Sequence, residues 1–332
     1  MITLFVHIGA GKCGSSAIQR FLAVNQAGLR DQGILVPGRE LDPDDPGVEQ
    51  HLIYFESGID RDDFAVQVAG RLRTLARTAL EHDCPVAVIS AENLINPKQF
   101  WLLFRGVEEQ LDIRIVAYVR RQDDFMISAW QQWQLKQRES FDEYYRMTKG
   151  RIDWHQQLEP WRQSFGRDKM HVRRYAVDKL VDGDVVVDFC QVVGVEPGGL
   201  VRPQRLNRSL DERFNDLAHR YRHELFKSTN DHRFYSFVED LLGEAALKNY
   251  GGSSLLTLNQ RRRIVDDHAE ANRRLRAQYF AHLDPKEALF SEPTEDDVHV
   301  PTQPPFDEPT AQRLLDQFFR WADGRSSATV DG

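Results

Sequence analysis

The chain has 332 residues, of which 41% are apolar and 28% are charged, and its formal net charge is −8. This balance is ordinary for a globular protein, and the length suffices for one large domain or two small ones. The net negative charge excludes a global field that would draw the chain to nucleic acid or to an anionic membrane, so any anion site must be local.

Apolar patterns predict alternating strands and helices in the first part of the chain. Strands are predicted at residues 2–8, 85–90, 113–119 and 170–175, and helices at residues 15–29, 62–82, 98–110, 123–136 and 184–194, the last of them capped by Gly194. Residues 37–50, rich in Pro, Gly and Asp, are predicted to form a loop. Such alternation favours a parallel sheet covered by helices on both faces.

The pattern changes after residue 203. Residues 209–282 are predicted to be almost entirely helical, with a break at Gly251 and Gly252, and residues 310–322 are predicted to form a last amphipathic helix. We therefore expect an α/β core over residues 1–200 and a mainly helical part over residues 201–332 that packs on it, the two forming one structural domain.

Residues 285–309 are rich in proline and acidic residues and are predicted to form an irregular linker. Asp296, Asp297 and His299 fall in it without a cysteine partner, so a solvated segment is favoured over a metal site. The chain's three cysteines form no spaced cluster, which argues against a disulfide framework and fits a reducing compartment. The apolar run at residues 2–8 is too short for the core of a signal peptide, and no run approaches the length of a membrane span. A cytoplasmic, soluble protein is expected.

A glycine-rich turn joins the first predicted strand to the first predicted helix in the segment HIGAGKCGSSAIQRFL, residues 7–22. Glycines let successive N–H groups converge on one point, and the helix start adds unpaired donors and the positive end of its dipole. Lys12 adds a positive charge, and Ser15 and Ser16 add hydroxyl donors, so the turn predicts a phosphate or sulfate site. The nucleotide-kinase pattern is not met, because its first glycine would fall at Val6 and Cys13 stands where Ser or Thr would hold magnesium.

A second anion site is predicted where the strand at residues 113–119 ends. Arg120 and Arg121 follow this strand, at the edge of a parallel sheet where ligands bind, and Ser128 comes eight residues after Arg120. A guanidinium and a hydroxyl can hold one phosphate from two sides. For one of the two arginines, a surface position facing Asp123 and Asp124 is the alternative. Because the strand ends in arginines rather than in a magnesium carboxylate, no metal is expected.

Together these segments resemble the sulfotransferase family that uses 3′-phosphoadenosine 5′-phosphosulfate (PAPS). Their sequences most resemble those of bacterial carbohydrate and glycolipid sulfotransferase-like proteins. The resemblance is carried by residues 1–36 and 113–135. It implies a three-layer, P-loop-like α/β fold and transfer of a sulfuryl group from PAPS to an acceptor hydroxyl. The expected acceptor is a carbohydrate or glycolipid, and neither a nucleic-acid partner nor a membrane span is expected. LNRSL (206–210) and HAEANRRLRAQYF (268–280) are also similar to these proteins.

The resemblance also assigns the donor-binding residues. In the family's loop around the 5′-phosphosulfate, Cys13, Ser15 and Ser16 replace threonines. By this resemblance Lys12 would contact the bridging oxygen and the transferring group, and Gly14, Ser15 and Ser16 would hold the 5′-phosphate. The whole donor loop would comprise Gly11, Lys12, Cys13, Gly14, Ser15 and Ser16. Arg120 and Ser128 match the family's 3′-phosphate element, and Tyr175 matches a tyrosine that contacts the adenine. Residues 248–253 (KNYGGS) are the nearest match to a late glycine-rich loop of the family.

The general base that removes the acceptor proton is expected to be Glu92, because it follows the strand at residues 85–90 and so reaches the same sheet edge. In cytosolic members of the family a histidine occupies this topological place. A capping or hinge carboxylate is the alternative for Glu92. His51 is the second candidate base, although a structural histidine is its alternative, and His7 is expected to pack against the glycine-rich turn. Two other functions stay open: an ATP-dependent phosphotransferase and a nucleotide-binding module without catalysis.

Overall fold

The computed structural model describes residues 1–45, 47–48, 51–96, 98–131, 140–202, 212–228, 231–243, 256–298 and 303–328. The predictions for LNRSL, for the KNYGGS segment, for the break at Gly251 and Gly252 and for His299 lie outside these residues.

A five-stranded sheet forms the centre of the fold, with strand order β2-β3-β1-β4-β5 and all neighbouring strands parallel. The strands are β1 (Ile2–His7), β2 (Ile34–Leu35), β3 (Val86–Ser90), β4 (Leu111–Val119) and β5 (Met170–Arg174). The last residue of β1, His7, pairs in register with Ser90 and with Val116. The carboxyl ends of β1 and β3 therefore lie side by side.

Most of the helices lie in segments predicted to be helical, whereas the three at residues 51–58, 141–148 and 154–165 lie where no helix was predicted. They are α1 (Ser15–Val24), α2 (Gln26–Asp31), α3 (His51–Gly58), α4 (Phe64–Glu81), α5 (Gln122–Ala129), α6 (Phe141–Thr148), α7 (Trp154–Phe165), α8 (Val185–Val193), α9 (Glu212–Arg220), α10 (Arg222–Leu225), α11 (Arg233–Leu242), α12 (Leu258–Asp267), α13 (Ala269–Tyr279) and α14 (Glu308–Ala328). Within the described residues, no helix combines the length and the apolar character needed to cross a bilayer.

Apolar residues of the strands form the core between sheet and helices. Leu4 and Val6 of β1 and Ile115 of β4 are fully buried. One group of helices contains α1 and α8, which contact each other; in another group, α4 and α7 both contact a short 3₁₀ segment, Phe100–Phe104. The three-layer α/β prediction with a central parallel sheet and a helical C-terminal part is confirmed.

The described residues divide into two compact units. The first contains Met1–Gln122, Gly150–Arg205 and Asp267–Ser291, and the second contains Asp123–Lys149, Leu206–Asp266 and Glu292–Gly332. The first unit holds the sheet and the glycine-rich turn. In the second unit, Arg261 is almost fully buried and forms ion pairs with Asp123 and Asp124. This pairing satisfies a charge that would otherwise be costly to bury.

Two predicted helices differ from the structure. The segment predicted as one helix at residues 15–29 is divided at Asn25, whose side-chain amide donates to the carbonyls of Phe21 and Val201 and accepts from the N–H of Val201. The helix predicted at residues 98–110 is instead the short 3₁₀ segment, because Gln99 before it and Gly106 after it have positive φ angles of 57° and 76°. The division at Asn25 arises because an asparagine side chain that bonds to backbone groups competes with the hydrogen bonds of the helix.

The remaining predictions of local structure hold with small changes. Asp184 caps α8 by accepting from the N–H of Val186, and Gly194 ends the helix in the left-handed conformation, as predicted. The two-residue strand β2 was not predicted from the sequence. Of the helix predicted at residues 123–136, α5 accounts for the part up to Ala129, and residues 132–139 lie outside the described part of the chain.

Candidate functional site

The glycine-rich turn is compact and ends directly at the first residue of α1. Gly14 precedes the helix in a left-handed conformation with φ 85°, and its carbonyl accepts from the N–H groups of Ala17 and Ile18 at 3.1 Å each. The N–H groups of Ser15 and Ser16 belong to the first turn, which has no acceptors inside its own helix. They provide the donors that an anion at the helix start requires.

Only glycine fits at position 14. A Cβ atom there would lie 2.8 Å from Val185 Cγ1 and 2.9 Å from Tyr175 Cε2, and the positive φ angle is itself unfavourable for other residues. The close approach brings the ring of Tyr175 against the turn. Tyr175 is held at the sheet by its own N–H, which donates to the carbonyl of Val119 at the end of β4.

Lys12 occupies the middle of the turn with a left-handed φ of 64°. Burial lowers the pKa of its ammonium group to about 8, the neighbouring Glu92 acts against that shift, and Arg120 acts in the same direction as burial. A lysine in such surroundings is charged at neutral pH but close to losing its proton, so a bound anion would strengthen its charged form.

Arg120 links the end of β4 to the turn. Its Nη1 donates to the carbonyl oxygen of Lys12 at 2.9 Å, and its guanidinium lies 5.6 Å from the ring centre of Tyr175. The indole N–H of Trp154 donates to the Arg120 carbonyl at 2.7 Å and fixes the backbone at this point. The two anion-binding segments predicted from the sequence therefore meet, although 108 residues separate Arg120 from Lys12.

Glu92 lies just after β3 and contacts the start of α1. The buried hydroxyl of Ser15 donates to Glu92 Oε2 at 2.6 Å, whereas Ser16 is exposed. We call Lys12, Ser15, Glu92 and Arg120 the charged cluster. It combines two cations, a carboxylate and a helix start at one sheet edge, which suits transfer of an anionic group to a hydroxyl that must lose a proton.

A second group of polar side chains meets at the carboxyl ends of β1 and β3, beside the glycine-rich turn. We call His7, Gln19, His51 and Ser90 the buried polar cluster. Ser90 connects its members: its hydroxyl bonds to His7 Nδ1 at 2.8 Å, and its carbonyl accepts from Gln19 Nε2 and lies 3.1 Å from His51 Nδ1. Burial lowers the pKa of His7 to about 3, so this ring is neutral.

His51 is fully buried, and both of its ring nitrogens face carbonyl oxygens. Nδ1 lies 3.1 Å from the carbonyl oxygen of Ser90, and Nε2 lies 3.0 and 2.9 Å from those of Pro37 and Gly38. Burial lowers the pKa of the ring, while these carbonyls act in the opposite direction. His51 therefore ties the segment after β2 to the end of β3. His7 packs beside the turn as expected, with its ring 3.0 Å from where a Cβ of Gly9 would lie.

The other residues predicted for the site lie as follows. Gly11 and Cys13 are buried within the turn, and the Cys13 N–H donates to the Ala10 carbonyl at 3.3 Å. Burial raises the pKa of the Cys13 thiol to about 12. Arg121 is buried and donates to the carbonyl and the hydroxyl of Ser291 at 3.3 Å each, so it does not have the surface position considered for it. Ser128 is a partly buried residue of α5 that belongs to the second unit.

Two features of the site were not predicted from the sequence. One is the bond between Ser15 and Glu92, which lie 77 residues apart, and the other is the central position of Ser90 in the buried polar cluster. A signal for Ser90 exists, since it is a polar residue that ends an apolar strand beside a parallel neighbour. No local pattern indicates which of the adjacent Ser15 and Ser16 turns toward Glu92.

Comparisons with known proteins add little to this geometry. No family model matches the chain. An uncharacterized protein of Archaeoglobus fulgidus is 28% identical over 171 residues, and the alignment covers 50% of this chain and 46% of that protein, about half the length of each. The crystal structure of a sulfotransferase from Alicyclobacillus acidocaldarius is similar over 66% of this chain and 90% of that one, with 20% identity and a TM-score of 0.35.

Proposed function

We propose that this protein is a sulfotransferase that transfers a sulfuryl group from PAPS to an acceptor hydroxyl. The observation that carries the proposal is the convergence of three separate segments at one sheet edge: the turn with Lys12, the end of β4 with Arg120, and the segment after β3 with Glu92. The two phosphate groups of the donor require cations and N–H donors, and the acceptor proton requires a base. This sheet edge supplies all three kinds of group.

The 5′ end of the donor would lie at the glycine-rich turn. The first-turn N–H groups of α1, with Gly14 as the preceding residue, are suited to the 5′-phosphate. Lys12 would stabilise the negative charge that develops on the bridging oxygen as the sulfuryl group leaves, an interaction that strengthens in the transition state. Gly11, Cys13 and Ser16 would complete the loop around this end of the donor.

The 3′-phosphate would bind the guanidinium of Arg120. A guanidinium carries five N–H donors, so the bond from Arg120 to the Lys12 carbonyl does not exhaust it. Tyr175, which lies against both Arg120 and Gly14, is suited to contact the adenine. Lys12 and Arg120 would neutralise the charge of the donor, so the proposal requires no metal.

Glu92 is the proposed general base. As the acceptor oxygen forms a bond to sulfur, the bond between sulfur and the bridging oxygen breaks, the acceptor proton passes to the Glu92 carboxylate, and adenosine 3′,5′-bisphosphate leaves. Glu92 is preferred to His51 because it is partly exposed at the turn, whereas His51 is fully buried with both nitrogens against carbonyl oxygens. We propose a carbohydrate or glycolipid hydroxyl as the acceptor, on the resemblance of the two anion-binding segments.

An ATP-dependent phosphotransferase is the second candidate. One observation favours it: the Ser15 hydroxyl and the Glu92 carboxylate lie together beside the turn, and a loop hydroxyl with a strand-end carboxylate holds magnesium in P-loop enzymes. Against it, Cys13 stands directly after Lys12 where such enzymes have Ser or Thr. The two candidates require different nucleotides.

Thermal unfolding with each nucleotide tests the proposal. Adenosine 3′,5′-bisphosphate should raise the melting temperature, since a ligand at about 100 times its Kd stabilises the folded state by about 2.7 kcal/mol. ATP with Mg²⁺ should raise it far less. Lys12→Ala should reduce the effect of the bisphosphate, whereas Lys98→Ala, which removes an exposed lysine paired with Glu56, should leave it unchanged. Equal or greater stabilisation by ATP with Mg²⁺ would favour the phosphotransferase instead.

A further inference from the structure

The two adjacent serines at the start of α1 differ in environment. Ser15 is only 2% exposed, and its hydroxyl donates to Glu92 Oε2 at 2.6 Å, whereas Ser16 is exposed. Both follow Gly14 in the first turn, and both supply a backbone N–H at the same place. The difference between them lies in the side chain alone.

A serine hydroxyl has one proton to donate. In this structure Ser15 donates it to the carboxylate, so the hydroxyl is not available at the same time as a donor to a phosphate oxygen. The backbone N–H of Ser15 is a separate donor and lies in the helix turn that an anion would face. The two donors of Ser15 can therefore act on two different partners.

Glu92 needs a fixed orientation because Lys12 lies close enough to attract it electrostatically. A carboxylate that turned fully to Lys12 would compensate the charge that the donor requires, and it would turn away from an acceptor hydroxyl. Ser15 is the first residue of a ten-residue helix, and its hydroxyl holds Oε2 from that rigid element. The other oxygen, Oε1, is then the one left to take the acceptor proton.

We propose that Ser15 is a positioning residue for the base: its hydroxyl orients the Glu92 carboxylate, while its backbone N–H binds the 5′-phosphate of the donor. The inference rests on the proposed function, and it changes the task expected of the Ser15 hydroxyl, which the sequence resemblance assigned to the phosphate. Phosphate binding by a hydroxyl in this turn falls to Ser16.

The inference separates turnover from affinity. Ser15→Ala should lower the single-turnover rate of transfer from PAPS about tenfold, the loss of one hydrogen bond to a charged group, and should change the Kd of adenosine 3′,5′-bisphosphate by less than about twofold. Ser15→Thr, which retains a hydroxyl, should recover most of the rate. Ser16→Ala is the matched control and should weaken bisphosphate binding more than it slows transfer.

A double-mutant cycle makes the test decisive. Calorimetry gives the Kd of the bisphosphate, and single-turnover release of bisphosphate from PAPS gives the rate, with the most active acceptor from a panel of glycans and phenols or with water where none reacts. Adding Ser15→Ala to Glu92→Gln should cause no further loss, because a positioning residue has no effect once its partner cannot act. Effects of the two changes that multiply, or a tenfold loss of affinity in Ser15→Ala at an unchanged rate, would overturn the inference.

Failure of the proposed function would look different. A wild-type protein that binds no bisphosphate and releases none from PAPS would contradict the sulfotransferase itself, whatever the serine variants do. A wild-type protein that binds and turns over, with Ser15→Ala indistinguishable from Ser16→Ala in both measurements, would contradict only the assignment of Ser15.

Discussion

The charged cluster and the buried polar cluster lie near the same edge of the sheet, yet they differ in exposure. In the buried polar cluster, His7, Gln19 and His51 all bond to Ser90, and His51 also meets the carbonyls of Pro37 and Gly38. In the charged cluster, Lys12, Glu92 and Arg120 are partly exposed, and the start of α1 offers backbone N–H groups. All four residues of the buried polar cluster are buried, so titratable residue types indicate ligand chemistry only where a ligand can reach the side chain.

The comparison also explains why the clusters occur together. The backbone is left-handed at Lys12 and Gly14, and such conformations persist only where the surroundings fix them. The buried polar cluster fixes the ends of β1 and β3, while the guanidinium of Arg120 holds the carbonyl of Lys12. The buried polar cluster thus supports the backbone, and the charged cluster supplies the charged groups of the candidate site.

Replacing the two candidate bases, Glu92 and His51, in separate variants should produce the largest difference in turnover. Glu92→Gln keeps the shape of the side chain but removes the base, so turnover should fall by about 10²–10⁴-fold while bisphosphate affinity stays nearly unchanged. His51→Gln should retain turnover per folded, bisphosphate-binding molecule. Retained activity in Glu92→Gln with loss in the His51 variant would assign the base to the buried polar cluster.

Removing Arg120 tests whether the charged cluster contains the 3′-phosphate ligand. Arg120→Ala should weaken binding of adenosine 3′,5′-bisphosphate by about 10–100-fold, the loss expected for a hydrogen bond to a charged group. Because Arg120 also holds the Lys12 carbonyl, binding of adenosine 5′-phosphate should weaken too, but by several-fold less than binding of the bisphosphate. Calorimetry with both ligands measures the difference.

An equal loss for both ligands in this experiment would mean that Arg120 acts only on the turn. Arg121 would not be the natural replacement, since it is buried and bonds to Ser291. Arg105→Ala serves as the control, because it removes an exposed arginine charge from the same unit.

These assignments show what the sequence can and cannot specify. The strand, turn and helix around Lys12 are adjacent in the chain, so their arrangement followed from local pattern, and the parallel sheet fixed the common edge for Arg120 and Glu92. The bond between Ser15 and Glu92 depends on side-chain rotation and on segments 77 residues apart, so no local signal specified it. The false helix at residues 98–110 has a different, local origin: apolar spacing suits both an α-helix and the 3₁₀ segment found there.

The pH dependence of ligand binding should report the charged cluster. Burial lowers the pKa of Lys12 to about 8, so its positive charge is present below that pH and is lost above it. Bisphosphate affinity should decrease by about twofold as the pH rises from 7 to 8 and then by at most about tenfold per pH unit, while the phosphates are almost fully ionised above pH 7. Lys12→Arg should abolish this decrease in affinity. A decrease that persists in the variant would mean that another group titrates.

The pH dependence of stability should report the buried polar cluster, with a smaller effect. Burial lowers the folded-state pKa of His7 to about 3, so below its ordinary value of 6.5 the unfolded chain takes up a proton that the folded chain does not. The free energy of unfolding should therefore decrease as the pH falls from 6.5 toward 3. Between pH 7 and 5.5 the contribution of one such histidine is about 1 kcal/mol. Urea unfolding of His7→Asn should show a loss smaller by about that amount, and an identical loss in both proteins would contradict the neutral, buried ring.

A crystal structure with adenosine 3′,5′-bisphosphate tests the convergence of the anion-binding segments most directly. The account predicts the 5′-phosphate at the N–H groups of Ser15 and Ser16 beside Lys12, and the 3′-phosphate at the guanidinium of Arg120, with the Ser15 hydroxyl still bonded to Glu92. A bisphosphate bound with its 3′-phosphate away from Arg120, or bound outside the glycine-rich turn, would contradict it.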